Sequence, residues 1–346
     1  YRVWLAEVML QQTQVAAAVP YYRRFVERFP SLIALAAATE EEVLLLWSGL
    51  GYYARGRRLH AAARAALARH GGLPADLAAL RALPGFGPYT AGAVASIAFA
   101  IPEACVDGNV SRVLARLALL EGAPESRAVR DGLWKLAREL VDPARPGDWN
   151  QALMELGATV CVKPAPRCVR CPLESLCLAR AIGRERELPP ARVRRAPVLL
   201  HLACAAVERG GALLVARRPV GGLFAGMWEL PSVEVVGGAE PRRALRAGLA
   251  SRGLPITVGR EVVRVERTLT HRRLSLGAHR CTVRGEGPVP ERQDLRFAAP
   301  AELAALPVPA AFRRLLAALA LAPSGRSGAH PAGARNLAVG NGDDFD

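Results

Sequence analysis

The chain has 346 residues, 51% of them hydrophobic, with a mean hydropathy of +0.14, which predicts two domains with their own cores and excludes a disordered protein. No apolar run approaches the ~18–20 residues of a membrane span and no signal-peptide pattern opens the chain, so a soluble, cytoplasmic, nucleoid-associated monomer without a membrane partner is expected. The chain starts at Tyr1 in mid-pattern, and a segment upstream is expected. Basic residues outnumber acidic ones by 46 to 31, a net charge of +15. Residues 1–197 hold 26 basic and 18 acidic residues, so the surplus is spread over both halves and points to a polyanion such as DNA or RNA.

Residues 1–182 read as almost entirely helical, with apolar residues recurring at three and four and breaks expected at Pro20, Pro30, Gly49–Gly51, Gly71–Pro74 and Pro143–Gly147. Glu7 lies within an apolar run (Val3, Trp4, Leu5, Val8, Met9), where a desolvated carboxyl has a raised pKa suited to general acid work. Gln11, Gln12 and Thr13 end that helix, and Tyr52–Tyr53 follow a Gly-Leu-Gly turn. Both groups suit wedging between or stacking on nucleic-acid bases. For the tyrosines, core packing is the competing reading.

Residues 76–100 read as helix, Leu83-Pro84-Gly85-Phe86-Gly87, helix. Gly85 and Gly87 let the backbone approach a phosphate and aim N–H groups at it, a sequence-independent DNA clamp. Asp107 then stands at the N-cap of a helix expected over Val110–Leu120. A carboxylate is stabilised there as an anion and is placed to face a cationic sugar.

Cys161, Cys168, Cys171 and Cys177 crowd one segment, 161–177. Four thiolates in a loop suit zinc or an iron–sulfur cluster, and arms of six and five residues around a single CxxC favour the bulkier group. Cys105, Cys204 and Cys281 read as small buried residues. Residues 183–197, charged and carrying three prolines, read as an exposed linker.

Beyond it the pattern becomes α+β. Strands are expected over Val198–Val207, Ala212–Ala216, Val262–Thr268 and Arg273–Val283, with helices over Arg242–Arg252 and Ala301–Leu321. A disordered tail is expected over 322–346.

Glu7–Val15, Leu50–Arg55, Leu83–Gly92, Val106–Arg112 and the four cysteines together resemble the adenine DNA glycosylase (MutY) family, from Tyr1 to about Leu321. The resemblance implies a mainly α helix–hairpin–helix glycosylase domain with a [4Fe–4S] loop (1–182) and an α+β Nudix-like lesion-recognition domain (198–321). It implies removal of adenine opposite 8-oxoguanine or G in double-stranded DNA, with Glu7 protonating the base and activating water. Asp107 would stabilise the sugar cation, assisted by Tyr89. It implies DNA contacts from Gln12, Thr13, Leu50, Tyr52, Gly85, Gly87, Thr270 and His271, and cluster ligation by Cys161, Cys168, Cys171 and Cys177.

Three alternatives compete. Pyrimidine glycosylases of the endonuclease III type need a lysine nucleophile where Tyr89 stands, and Lys135 and Lys163, the chain's only lysines, are far in sequence from the hairpin and Asp107 motifs. A Nudix hydrolase needs glutamates on a helix whose counterpart here, Arg246–Gly253, has none. A catalytically disabled iron–sulfur DNA-binding module is the third.

Overall fold

A computed structural model describes residues 1–191, 196–269, 271–284 and 292–322. It opens with α1 (Arg2–Leu10), α2 (Val15–Arg28), α3 (Leu32–Ala37), α4 (Glu40–Trp47), α5 (Ala54–His70), α6 (Leu77–Arg81), α7 (Pro88–Phe99), α8 (Gly108–Leu117), α9 (Arg127–Leu140), α10 (Pro146–Thr159) and α11 (Leu178–Ala181). Strands and helices then mix: β1 (Val198–Arg209), β2 (Ala212–Arg217), β3 (Trp228–Glu229), β4 (Ser232–Glu234), α12 (Pro241–Ala250), β5 (Ile256–Thr268), β6 (Arg272–Val283), β7 (Leu295–Ala298), α13 (Pro300–Ala304) and α14 (Ala310–Ala320). No helix among the described residues is long and apolar enough to cross a membrane.

The chain divides into two compact units, Tyr1–Ala37 with Arg58–Arg194, and Ala38–Arg57 with Arg195–Asp346. This differs from the expected unbroken 1–182 domain. Within the second unit, Trp228 donates its indole N–H to Glu41, and Ser48 donates to the carbonyl of Val308. Such long-range bonds leave no local trace in sequence, and so α4 was read with its chain neighbours. α4 itself starts where local chemistry dictates. The Thr39 hydroxyl accepts from Glu42 N at 3.2 Å, and the Glu42 carboxylate accepts from Thr39 N at 2.8 Å, a capping box.

Other boundaries also move. Pro20 does not break α2. It removes one N–H opposite the carbonyl of Ala16, and both residues are exposed, so water can satisfy that carbonyl. The helix expected over Ala301–Leu321 is two helices, because Pro307 and Pro309 cannot continue the ladder. The stretch 183–197 is not all exposed linker. Glu185 and Leu188 are buried, Glu185 pairs with Arg180 at 3.1 Å, and the Leu188 carbonyl accepts from Arg116 at 2.7 Å. Residues 323–346 of the expected tail lie outside the described residues.

In the first unit, Val110, Val113 and Leu114 of α8 pack with Leu133 and Ala137 of α9 and Leu153 of α10. Burying each such aliphatic side chain stabilises by about 1.5–3 kcal/mol. The second unit is a mixed sheet ordered β3-β2-β1-β6-β5, with β4 added to β1 and β7 to β2. β1 and β6 run parallel over ten residue pairs, while β5 and β6 form a long antiparallel hairpin. Leu245 and Leu249 of α12 bury against the face carrying Ala203, Ala205 and Val258.

Candidate active site

In the first unit, the end of α1, the hairpin before α7 and the start of α8 border an open groove of about 1110 Å³. It is lined by Gln12, Gly85, Gly87, Tyr89, Asp107 and Arg112 among others. The hairpin backbone permits little else at Gly85. Its φ is +78°, and a Cβ there would lie 2.8 Å from Arg58 Cβ. Gly87 is the N-cap of α7, with open space where its side chain would be. α7 must also press against the segment before Asp107, since a Cβ on Gly92 would sit 2.1 Å from the Ala104 carbonyl oxygen.

Tyr89 carries the groove to Glu7. Its hydroxyl donates to Glu7 Oε2 at 2.5 Å and lies 3.5 Å from Met154 Sδ. Burial holds the Glu7 carboxyl above the usual carboxylate range. The Tyr89 hydrogen bond pulls it down, and the negative charge of Asp107 pushes it up. Burial and the Glu7 charge raise the Tyr89 phenol, so Tyr89 stays a donor. Cys105 is buried, its thiol raised by burial and then by Glu7 and Asp107.

Asp107 is the N-cap of α8, and both of its oxygens are held. Oδ1 accepts from Val110 N at 2.7 Å, and Oδ2 accepts from Asn109 Nδ2 at 3.0 Å. Asn109 in turn accepts from Arg112 Nη2 at 2.8 Å, and Arg112 donates to the carbonyls of Cys161 and Gly157, each at 2.6 Å. Gly157 is small of necessity, as a Cβ there would lie 2.7 Å from Asn109 Cβ. Asn109 and Arg112 were quoted in the motif without a role. Their signal is the spacing, since residues three apart on a helix face one another.

Arg116, one turn after Arg112, is buried and donates to the Cys161 sulfur and carbonyl, both at 3.1 Å. Cys161, Cys168, Cys171 and Cys177 line one small cavity with Arg116 and Arg180. Among the described residues no group of three or more His, Cys, Asp and Glu is drawn together as around one metal ion. Four thiols on one cavity, with a guanidinium on one sulfur, are donors of the kind that hold an iron–sulfur group.

Two sequence readings need correction. Lys163, expected far from this chemistry, lines the same groove as Asp107 and Tyr89. The Arg112 and Arg116 bonds to Cys161 fold the cysteine segment back onto the start of α8, bringing the residue two positions on with it. Leu50 is not available to DNA. It is 4% exposed and packed in the second unit. Tyr53 is core as well, its ring edge-on to Phe224.

The other expected contacts are spread over both units. Gln12 is exposed with φ +57° at the groove, and the Thr13 hydroxyl donates to the Gln11 carbonyl at 3.4 Å. Tyr52, half-buried with φ +48°, belongs to the second unit and has the Arg55 guanidinium 5.4 Å from its ring centre. His271 is exposed at the turn between β5 and β6, and Thr270 lies outside the described residues.

A helical unit with a glycine hairpin, a groove holding Asp107 and Tyr89, and a four-cysteine loop, in one chain with a mixed-sheet unit, defines a class. Residues 5–139 match the HhH-GPD superfamily of base excision DNA repair proteins, and residues 203–318 match the NUDIX domain. The chain is 41% identical to the adenine DNA glycosylase of Homo sapiens over 84% of its own length and 62% of the relative's. It is 41% identical to that of Rattus norvegicus (83% and 65%) and 39% identical to that of Arabidopsis thaliana (67% and 42%). The chain is a homologue of the adenine DNA glycosylases, and it spans less than two thirds of the length of these relatives.

Proposed function

We propose that the chain removes adenine opposite 8-oxoguanine, or opposite G, from double-stranded DNA by hydrolysing its N-glycosidic bond. The observation that carries this reading is the hydrogen bond from Tyr89, which lines one groove with Asp107, to Glu7 behind it. Glu7, its carboxyl biased toward the protonated form, donates a proton to N7 of the flipped adenine. The leaving base then departs neutral, and the sugar becomes oxocarbenium-like. Asp107, fixed by Val110 N and Asn109, faces the developing positive charge. Glu7, now ionised, takes a proton from the attacking water, while Tyr89 keeps its carboxylate oriented.

Gly85, Gly87 and the first N–H groups of α7 hold a phosphate, and Gln12 and Thr13 occupy the space that the base leaves. The exposed turn with His271 inspects the opposite base. Cys161, Cys168, Cys171 and Cys177 would hold a [4Fe–4S] cluster. When bound, it would supply four metal–thiolate bonds that close the 161–177 loop on itself, while Arg112 and Arg116 tie that loop to α8.

Single-turnover assays on A:8-oxoguanine, A:G and thymine-glycol duplexes test the reading. Free adenine with strand breakage only after alkali is expected. Release of thymine glycol without adenine would overturn it.

A further inference from the structure

Two side-chain hydrogen bonds join α1 to α7, and the reaction steps given above use the first of them. In that one, Glu7 accepts from the Tyr89 hydroxyl. In the second, Gln11 donates Nε2 to the Thr90 hydroxyl oxygen at 3.1 Å. Gln11 is the C-cap of α1, four residues after Glu7 and so above it on the same side. Thr90 follows Tyr89 in the first turn of α7 and is buried. The two bonds are successive rungs between the same helices, one at the acid and one at the end of α1.

The second rung stands beside a strained turn. Gln12, the residue after the C-cap, has φ +57°. Helices commonly end on a left-handed residue at this position, but that residue is usually glycine, because a Cβ is crowded in this conformation. Gln12 therefore adopts it at a cost and keeps it where its neighbours over-determine the backbone. Thr13 N donates to the Leu10 carbonyl at 3.2 Å, and the Thr13 hydroxyl donates to the Gln11 carbonyl at 3.4 Å. Those two bonds close the turn on itself. The Gln11–Thr90 bond ties it to α7, the helix that carries Tyr89.

We propose that Gln11 and Thr90 are positioning residues that couple base extrusion to placement of the acid. The proposal rests on the reading of Gln12 as a residue that enters the space of the extruded adenine. Extrusion is uphill, because pairing and stacking are lost, and a wedge already held in its inserted shape lowers that cost. The strut holds the Gln12 turn in its left-handed shape and fixes it to the helix whose Tyr89 orients Glu7. A base kept out of the stack then meets a seated acid. Breaking the strut leaves the Glu7–Tyr89 bond and Asp107 in place and lets the Gln12 turn relax. The loss falls on extrusion rather than on the chemical step.

The test is a double-mutant cycle on the full chain. Thr90→Val keeps the shape and removes the hydroxyl, Gln11→Met keeps the length and removes the amide, and a third variant combines them. Extrusion is followed by the fluorescence of 2-aminopurine at the target position opposite 8-oxoguanine, and single-turnover excision of adenine is measured across pH. Each single variant should lower extrusion and excision together, by about two- to tenfold, the worth of one neutral hydrogen bond. The alkaline limb of the pH profile should stay where it is. The combined variant should lose no more than the larger single loss, and Thr90→Ser should restore both readouts. Gln11→Met, at a half-buried position, keeps the test decisive where Thr90→Val folds poorly. Native protein that extrudes 2-aminopurine without excising adenine would end the adenine reading, and extrusion by the variants would then decide this proposal. Extrusion unchanged in both single variants, additive losses in the combined one, no rescue by serine, or a shifted alkaline limb would each overturn it.

Discussion

The Tyr89 hydroxyl donates to Glu7 Oε2 at 2.5 Å, joining the first helix to a residue 82 positions later. Burial makes Glu7 a better acid, while this bond opposes burial by stabilising its ionised form.

Glu7→Gln keeps the shape and removes the proton. DNA binding is expected to persist while single-turnover excision falls about 10²–10⁴-fold, the worth of general acid catalysis. Excision near the native rate would remove Glu7 from the mechanism.

Tyr89→Phe removes the interaction that lowers the Glu7 pKa. The alkaline limb of the excision–pH profile should move to higher pH, because Glu7 then keeps its proton longer. The effect on stability has the opposite sense to an ion-paired acid. The folded-state pKa of Glu7 is raised, so the unfolded chain binds fewer protons between the two values. Stability from this group is therefore present below its unfolded pKa and lost as pH rises through the folded value. A profile that moves to lower pH would contradict this account.

Asn109→Ala takes the donor from Asp107 Oδ2 and the acceptor from Arg112. Excision should drop while the melting temperature falls only modestly, since one hydrogen bond contributes about 0.5–1.5 kcal/mol net. Arg112→Ala also takes a donor from the carbonyls of Cys161, which keeps Arg116, and Gly157, so its thermal destabilisation should be the larger. Equal melting temperatures for the two variants would argue against the bridge between Asp107 and the cysteine loop.

Cys171→Ser should lose the brown absorbance of an iron–sulfur cluster, together with protease resistance around residues 161–177. Elemental analysis of anaerobically purified native protein is the deciding measurement. Zinc without iron would replace the cluster with a mononuclear site.

Lys163 puts an amine on the groove, so borohydride trapping has to be run on native protein, Lys163→Ala and Tyr89→Lys. Only Tyr89→Lys is expected to give a strong covalent DNA adduct. A strong native adduct that disappears with Lys163→Ala would show a lyase step and end the monofunctional reading. Discrimination between 8-oxoguanine and G is better tested by His271→Ala than by deleting residues 198–346. Deletion would strip α4 of Trp228 and Val308 in its own unit. His271→Ala should slow A:8-oxoguanine excision toward the A:G rate, with A:G less affected.

The features legible in the sequence were those whose physics is local. Asp107 caps the third residue onward, Gly85 needs a left-handed backbone two residues from Gly87, and four cysteines within seventeen positions line one cavity. Each follows from spacings of a few residues, where the chain has little freedom to do otherwise. The second domain was visible because the apolar period shifts from helix-like to strand-like. Tertiary structure alone decided the rest. It buried Leu50, moved α4 into the sheet-containing unit, and turned Lys163 into the groove. It also linked Asp107 through Asn109 and Arg112 to Cys161, 54 positions later. Those outcomes depend on which distant carbonyl or side chain satisfies a buried donor. A guanidinium such as that of Arg112 or Arg116 can reach many carbonyls, and only the packed fold selects Cys161.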